Sequence, residues 1–374
     1  MPRREGSVER PVPLEPAIDP TEPFDVFLAG LLFFDIVFTG LDQPPRPGVE
    51  VWTRGMGSGP GGIANFAVAL SRLGLRTSLA SAFGDDAYGA YCWQVLTEQE
   101  GVDLSHSRRF SDWHSPVTVS LAYDHDRAMV THGHQPPVSA DELIGDPPAS
   151  RVTVAHLGPH RQAWLERAHA QGTLVFADAG WDEADRSADE ILKQLPMCHA
   201  FMPNAAEAMA YTRTDSPERA LSKLGDLVPV AVITRGGDGV IAADATTGES
   251  ASVPGLVADV LDATGAGDVF GAGFVAATLA GWPLVDRLRF ANLGAALAVQ
   301  QFGGALAAPG WSGVARWWRA LREGSDGSER SHGSDSDAAA LRAAYSFLDD
   351  VIPEDITAEV RHASATLGVM QGLA

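Results

Sequence analysis

Four consecutive positions, Gly265, Ala266, Gly267 and Asp268, combine residue types that together could move a phosphoryl group. The three small residues stand at the mouth of a long apolar helical run and let a ligand approach the backbone closely. A helix that begins there offers unpaired N–H groups and the positive end of its dipole to an anion. Asp268 falls in the first turn. A carboxylate beside an anion site repels a phosphate if its only task is binding, whereas a base that takes the proton of an attacking hydroxyl belongs there. The combination reads as phosphoryl transfer to an alcohol. The same residues also suit an ordinary turn in which Asp268 is a helix-start acid favoured by the dipole.

Six further groups stand out. The stretch Met56 to Asn65 is glycine-dense and leads into a helix, as a tight turn or as a phosphate cradle. Asp35 is a lone acid among Leu31, Leu32, Phe33, Phe34, Ile36 and Val37; in such surroundings it suggests a carboxylate that grips vicinal hydroxyls. Asn204 and Glu207 open a helix with the spacing of a capping box. Thr234 to Gly239 forms a turn between two apolar runs. Asn292 sits inside a helical pattern from Pro283 to Gln301, where a buried structural amide is one reading. Gly303 and Gly304 follow that helix.

The elements that must position these groups alternate. Asp25–Gly30, Thr77–Ala82, Val152–Leu157, Thr173–Ala177, His199–Met202 and Val230–Thr234 read as short buried strands. Helical patterns run between them, such as Ile63–Leu73 stopping at Gly74 and Ala87–Glu100 stopping at Gly101. The alternation predicts an α/β fold, a doubly wound, mostly parallel sheet flanked by helices. Phe33–Arg54 and Ser107–Thr131 break it with β-rich stretches, either a small separate sheet or two surface hairpins. Residues 1–23 read as a flexible tail, 321–337 as a polar linker and 338–374 as a helical extension.

The chain has 374 residues and a formal net charge of -21, a poor match for nucleic acid or an anionic membrane. Phosphate binding in so acidic a chain must come from local amides, a metal and a few basic side chains. Only Cys92 and Cys198 are present, so neither a disulfide framework nor a cysteine metal cluster is expected. No secretory segment or membrane-length apolar run is apparent, which makes cytoplasmic residence the expectation.

The string Asp262-Ala263-Thr264-Gly265-Ala266-Gly267-Asp268 resembles the second signature of the ribokinase-like (pfkB) carbohydrate kinase family, with Ala263 in place of a threonine. Gly61 and Gly62 followed by Asn65 resemble its first signature, and the resemblance spans residues 24–319. It implies a kinase domain over 24–320 with a β-sheet lid from about 31–56 and 107–133. It implies Asp268 as catalytic base and Gly265, Ala266 and Gly267 as the anion hole. Asp35, Gly61, Gly62 and Asn65 would hold the acceptor. Asn204 and Glu207 would organise Mg²⁺ through waters, and Thr234, Gly236, Gly239 and Asn292 would line the ATP site. Asp262, Thr264 and Gly304 would join a K⁺ site. A homodimer through the lid is a further implication.

Two departures bear on the acceptor. Ile63 stands where ribokinases carry a lysine, and Gly158 where they carry a glutamate, so the pocket differs from that of a close ribokinase. A small sugar is the expected acceptor. A nucleoside, stacked on Phe33 or Trp113, is one alternative. A sugar phosphate, met by Arg54, Arg108, Arg109 or Arg127, is another. A catalytically idle binding relative is disfavoured by the intact Asp268 and Glu207.

Overall fold

The computed structural model describes residues 22–123, 126–179, 188–324, 335–353 and 363–365. The expected N-terminal tail lies outside them apart from Glu22 and Pro23, as do 325–334 of the linker and most of the chain past Pro353. In chain order the strands are β1 (Phe24–Ala29), β2 (Leu32–Leu41), β3 (Gly55–Gly62), β4 (Thr77–Ala80), β5 (Ala82–Gly84), β6 (Arg108–Phe110) and β7 (Val117–Tyr123). They continue as β8 (Asp126–His132), β9 (Ser150–Leu157), β10 (Leu174–Ala179), β11 (Ala200–Phe201), β12 (Val230–Thr234), β13 (Val240–Asp244) and β14 (Glu249–Val253).

The main sheet has the order β14-β13-β12-β11-β10-β9-β1-β4. From β12 to β4 every neighbour is parallel, and β13 and β14 close one edge as antiparallel strands. Alternation along β1 explains the continuous apolar runs. Val26 and Leu28 enter the core on one face, and Phe27 and Ala29 that on the other. Both faces are covered by helices, as the doubly wound expectation requires.

The two β-rich stretches do form a separate sheet, ordered β3-β2-β7-β8. One of its strands was not legible. The glycine-dense run before Asn65 is no turn but β3, paired antiparallel with β2 so that Asp35 stands opposite Gly59. Glycine is a poor strand former, and the crowding around these positions is the physical reason for its use. A Cβ on Gly59 would lie 2.9 Å from Leu306 Cδ1, and one on Gly55 would lie 2.7 Å from Thr39 Oγ1.

Two helices carry the central residues. The first, Ala64–Arg72, is buried along most of its length. The second, Ala266–Leu279, crosses it at Gly271, where a Cβ would come within 2.3 Å of the Phe66 ring. On its other side Gly273 packs against Ala291 of the helix Leu284–Ala298, with a Cβ position 3.1 Å from Ala291 Cα. Each glycine costs a helix interior about 1 kcal/mol against alanine, and close approach to both neighbours offsets it.

The C-terminal extension packs on this body. Tyr345 and Leu348 are buried with Trp318 of the helix Trp311–Glu323. Trp318 Nε1 donates to Asp349 Oδ1 at 2.8 Å, and Tyr345 Oη donates to Arg289 O at 3.2 Å. Cys92 and Cys198 are buried, unbridged thiols, and burial pushes the Cys198 thiol up to about 12. Among the described residues no helix is long and apolar enough to cross a membrane.

Candidate active site

Parallel strands present all their carboxyl ends on one side of the sheet, the usual place for a ligand in such folds. The chain leaves β1 there for the lid, Asn204 follows β11 there, and Thr234 ends β12 there.

Asn65 lies in the first turn of Ala64–Arg72 and is 4% exposed. Its Nδ2 donates to Asp268 Oδ2 at 2.8 Å. Its Oδ1 is buried without a partner. Gly265 turns the chain into the helix of Asp268 with φ +76°, and a Cβ there would be 3.0 Å from Asn65 Cγ. A buried acceptor left without a donor costs about 1–3 kcal/mol, which a ligand hydroxyl would recover.

Asp35, on β2, is 8% exposed. Its carboxylate lies directly over Gly61, where a Cβ would stand 1.8 Å from Oδ2. Gly61 is therefore the clearance that this carboxylate occupies. Gly304 has φ +53°, and a Cβ on it would be 3.2 Å from Asn65 Oδ1 and 3.9 Å from Asp35 Oδ2. Gly62 serves a different purpose. Its φ of +62° turns β3 toward the helix, with a Cβ position 2.5 Å from Leu31 O.

Asp262 ties two loops together. Its Oδ1 accepts from Thr264 N at 2.9 Å and its Oδ2 from Gly303 N at 3.2 Å, with the residue 4% exposed. Beyond it the helix start is open: Gly267 is exposed and has no atom within 4 Å of a Cβ position. The opening amides of a helix lack partners one turn back, so they face whatever occupies that space. Ala266 N keeps only a 3.3 Å contact to Ala263 O.

A second group lies along the same sheet side. Asn204 and Glu207 form the full capping box, with Asn204 N donating to Glu207 Oε2 at 2.9 Å and Glu207 N to Asn204 Oδ1 at 3.0 Å. Burial pushes the Glu207 carboxyl above its ordinary range, against the lowering effect of the Asn204 bonds and of His156. Asn204 is bridged to Thr234, whose N donates to Pro203 O at 3.1 Å. Gly236 and Gly239 both have positive φ, and a Cβ on Gly239 would strike Val253 O at 2.1 Å. Asn292 is 9% exposed, and its Nδ2 donates to Pro254 O at 3.1 Å.

The structure thus brings Asp35, Gly61, Asn65, Thr264, Gly265, Asp268 and Gly304 together. Asn204, Glu207, Thr234, Gly236, Gly239 and Asn292 make the second group.

One positioning residue escaped the sequence. Arg72 ends the helix that Asn65 begins, and all its donors are used. Nε and Nη2 grip both oxygens of Glu100 at 2.8 Å. Nη1 donates to Leu306 O at 3.0 Å and Ala308 O at 2.6 Å, and Nη2 also to Ala363 O at 2.9 Å. Its partners lie up to 291 positions away, so no local pattern announces it.

The sequence pattern described as pfkB family carbohydrate kinase matches residues 33–310. The chain is 28% identical to a nucleoside kinase of Methanothermobacter thermautotrophicus, over 76% of this chain and 92% of that protein. It is 30% identical to an ATP-dependent ribose-1-phosphate kinase of Halopiger xanaduensis, over 74% of this chain and 93% of that protein. Among solved structures, Arabidopsis thaliana ribokinase complexed with ribose and ATP superposes with a TM-score of 0.65 at 22% identity, covering 79% of this chain and 98% of that one.

Proposed function

The chain belongs to the pfkB family of carbohydrate kinases, and from that membership we propose that it transfers the γ-phosphoryl group of ATP to a hydroxyl of a small sugar or sugar-like acceptor in the cytoplasm. The observation that carries this reading is the hydrogen bond from Asn65 to Asp268, next to the Asp35 carboxylate and in front of an open helix start.

Asp35 and the buried Asn65 Oδ1 accept hydrogen bonds from acceptor hydroxyls and so fix its orientation. The amide of Asn65 donates to Asp268 Oδ2 and so orients that carboxylate. Asp268 takes the proton of the attacking hydroxyl as the phosphoryl group transfers. The amides around Gly265, Ala266 and Gly267 stabilise negative charge on that group. The lid sheet excludes water from the acceptor.

Thr234, Gly236, Gly239 and Asn292 line the nucleotide end. The half-buried Glu207 fits a water-mediated Mg²⁺ contact, because burial of its carboxylate favours a nearby cation. Mg²⁺, when bound, supplies charge neutralisation on the phosphates. Asp262 holds the Thr264 and Gly304 loops, whose backbone carbonyls are the natural ligands of a monovalent cation such as K⁺. Strand β8, an edge with Met129 and Val130 exposed, offers a surface for a lid-to-lid homodimer.

A nucleoside acceptor is the second reading. Half-buried Phe33, packed beside Gly62 at the root of the lid, supports it as a stacking surface. A sugar-phosphate acceptor has less support. Arg54 is paired with Asp42, and the guanidinium groups of Arg108 and Arg109 lie over the rings of Phe110 and Trp93. The Arg127 side chain lies outside the described residues.

The test is a coupled ADP-release assay with sugars, nucleosides and phosphorylated sugars as acceptors. Turnover with an unphosphorylated sugar, lost in Asp268→Asn, is the expected result. Turnover with none of the three classes would overturn the reading.

A further inference from the structure

The root of the lid carries a cluster that phosphoryl transfer leaves unused. His132 ends β8, His134 follows two residues later, and His114 lies in the connection that leads into β7. One nitrogen from each imidazole lies within 4.8 Å of one from each of the others. The rings touch, with centroids 5.1, 4.8 and 5.4 Å apart, and the His114 and His132 rings stack at an interplanar angle of 13°. His132 and His134 are exposed and His114 is half-buried, so an ion can reach the group from solvent.

We propose that His114, His132 and His134 form a binding site for a late divalent transition metal, of which Zn²⁺ is the type. Three neutral imidazoles without a carboxylate suit Zn²⁺, Cu²⁺ or Ni²⁺ and are poor ligands for Mg²⁺ or Ca²⁺. The site is thereby chemically distinct from the magnesium that phosphoryl transfer needs. With Zn–N bonds of about 2.0–2.1 Å, tetrahedral ligation brings the nitrogens to about 3.4 Å from one another. Rotation of the two exposed rings closes that gap. His114 Nδ1 faces Ser115 O at 3.4 Å; a proton donated there leaves the Nε2 lone pair for the metal. Water or a second chain completes the fourth position.

The placement gives the site a mechanical role. Val117 pairs with His132, so the cluster joins the chain entering the lid to the chain leaving it. Two contacts already lie along this seam: Trp113 Nε1 donates to Gln135 O at 3.1 Å, and Gly133 packs against Pro116. Beside His114, Ser115 N donates to Asp86 Oδ2 at 2.6 Å and Gly84 N donates to Ser115 Oγ at 3.0 Å, which anchors the entering strand on the body. A bound ion would clamp the outer lid strand to that anchor.

The experiment uses the full chain, stripped with a chelator, without nucleotide or acceptor. Zn²⁺ is titrated calorimetrically, and Co²⁺ is added as an optical probe of tetrahedral ligation. Loss of a residue that merely orients a ligand weakens metal binding about 10–100-fold, so His132→Ala and His134→Ala should each weaken Zn²⁺ at least tenfold. His169→Ala, on the exposed face of the helix Ala163–Ala170, should leave it unchanged. Zn²⁺ should raise the Tm of the parent protein and not that of the His132→Ala/His134→Ala double variant. Equal Zn²⁺ affinity, or an equal Tm rise, in parent and double variant would overturn the proposal.

Discussion

Asn65 and Asp268, 203 positions apart in the chain, meet through one amide hydrogen bond of 2.8 Å, while the other end of that amide is buried with no partner. One side chain thus has a donor committed to the carboxylate proposed as base and an acceptor that a ligand hydroxyl would satisfy. A hydroxyl donated to Oδ1 would lie beside the Asp268 carboxylate, the group proposed to take its proton.

Replacing Asp268 by Asn keeps the shape and removes the proposed base. Turnover should fall by about two orders of magnitude or more, ~2.7 kcal/mol in the barrier, with ATP affinity retained. Asn65→Ala should lower turnover and raise the acceptor KM together, and the double variant should be barely worse than Asp268→Asn alone, since the two act as a unit. Near-normal turnover in Asp268→Asn would remove it from the base role.

Gly61 makes a sharper test of Asp35 than substitution of the acid itself. A methyl group there overlaps the carboxylate, with a Cβ position 1.8 Å from Oδ2. Gly61→Ala should displace Asp35 and reproduce the acceptor defect of Asp35→Ala. Hydrogen bonds to charged groups contribute about 1.5–3 kcal/mol, or roughly 10–150-fold in kcat/KM for the acceptor. The ATP KM should not move. An equal change in both KM values would mean that the lid strand, rather than Asp35, had been disturbed.

Much of this was legible before any coordinates. The parallel strands announced themselves as short apolar runs because both faces of the sheet are covered. The capping box at Asn204 and Glu207 and the turn at Gly236–Gly239 were local patterns and formed as expected. Strand β3 was hidden because its glycines follow from crowding by Leu306 and Asp35, which lie far from it in sequence. Arg72 was hidden for the same reason, since a buried ion pair with Glu100 has no signature beyond two charges.

Glu207 should set an acid limit on magnesium use. Burial raises its carboxyl above the ordinary value of 4.5, so it takes up a proton at a higher pH than a solvated glutamate. Protonation cancels the charge that favours the cation. The apparent Mg²⁺ affinity should therefore decline as pH falls through that raised value, at a higher pH than a solvated glutamate would set. Glu207→Gln should weaken Mg²⁺ dependence at neutral pH and abolish the decline. A profile that keeps the acid limb in Glu207→Gln would assign it to another group.

Asp86 should mark the stability of the connection into the lid. It caps the helix Ala87–Gln94 by accepting from Gly89 N at 2.7 Å and also accepts from Ser115 N at 2.6 Å. Burial opposes ionisation, but these bonds win and hold its carboxyl below the ordinary range. A depressed carboxylate contributes stability above its unfolded value of 3.8 that is lost as pH falls through the folded value. Asp86→Ala should cost about 1–2 kcal/mol near neutrality. Denaturant unfolding at several pH values should show the gap from wild type narrowing below pH 3.8.

The last prediction concerns the far end of the chain. Arg72 and Glu100 have side chains 6% and 0% exposed, and both reach Ala363: Arg72 Nη2 donates to its O at 2.9 Å, and its N donates to Glu100 Oε1 at 2.8 Å. Two positions on, Ala365 Cβ would stand 2.6 Å from a Cβ on Gly303 and 3.3 Å from one on Gly57. Residues 363–365 therefore cover the back of the loop that Asp262 fixes, and Ala363 bonds two buried charged groups there. Deleting residues 354–374 strips one partner from each. A buried polar group left unsatisfied costs about 1–3 kcal/mol, and each kcal/mol shifts the midpoint of a large domain by about 2–4 °C or less. The truncated chain should lose several degrees of Tm and show a higher acceptor KM with a smaller change in kcat. Arg72→Ala should destabilise more, by about 3–5 kcal/mol, because it removes the buried cation that grips both oxygens of Glu100. In an Arg72→Ala background the truncation still strips the Ala363 N–H from Glu100, so a further loss of Tm should remain. A truncated chain with wild-type Tm and KM would show that this contact does not hold the loop.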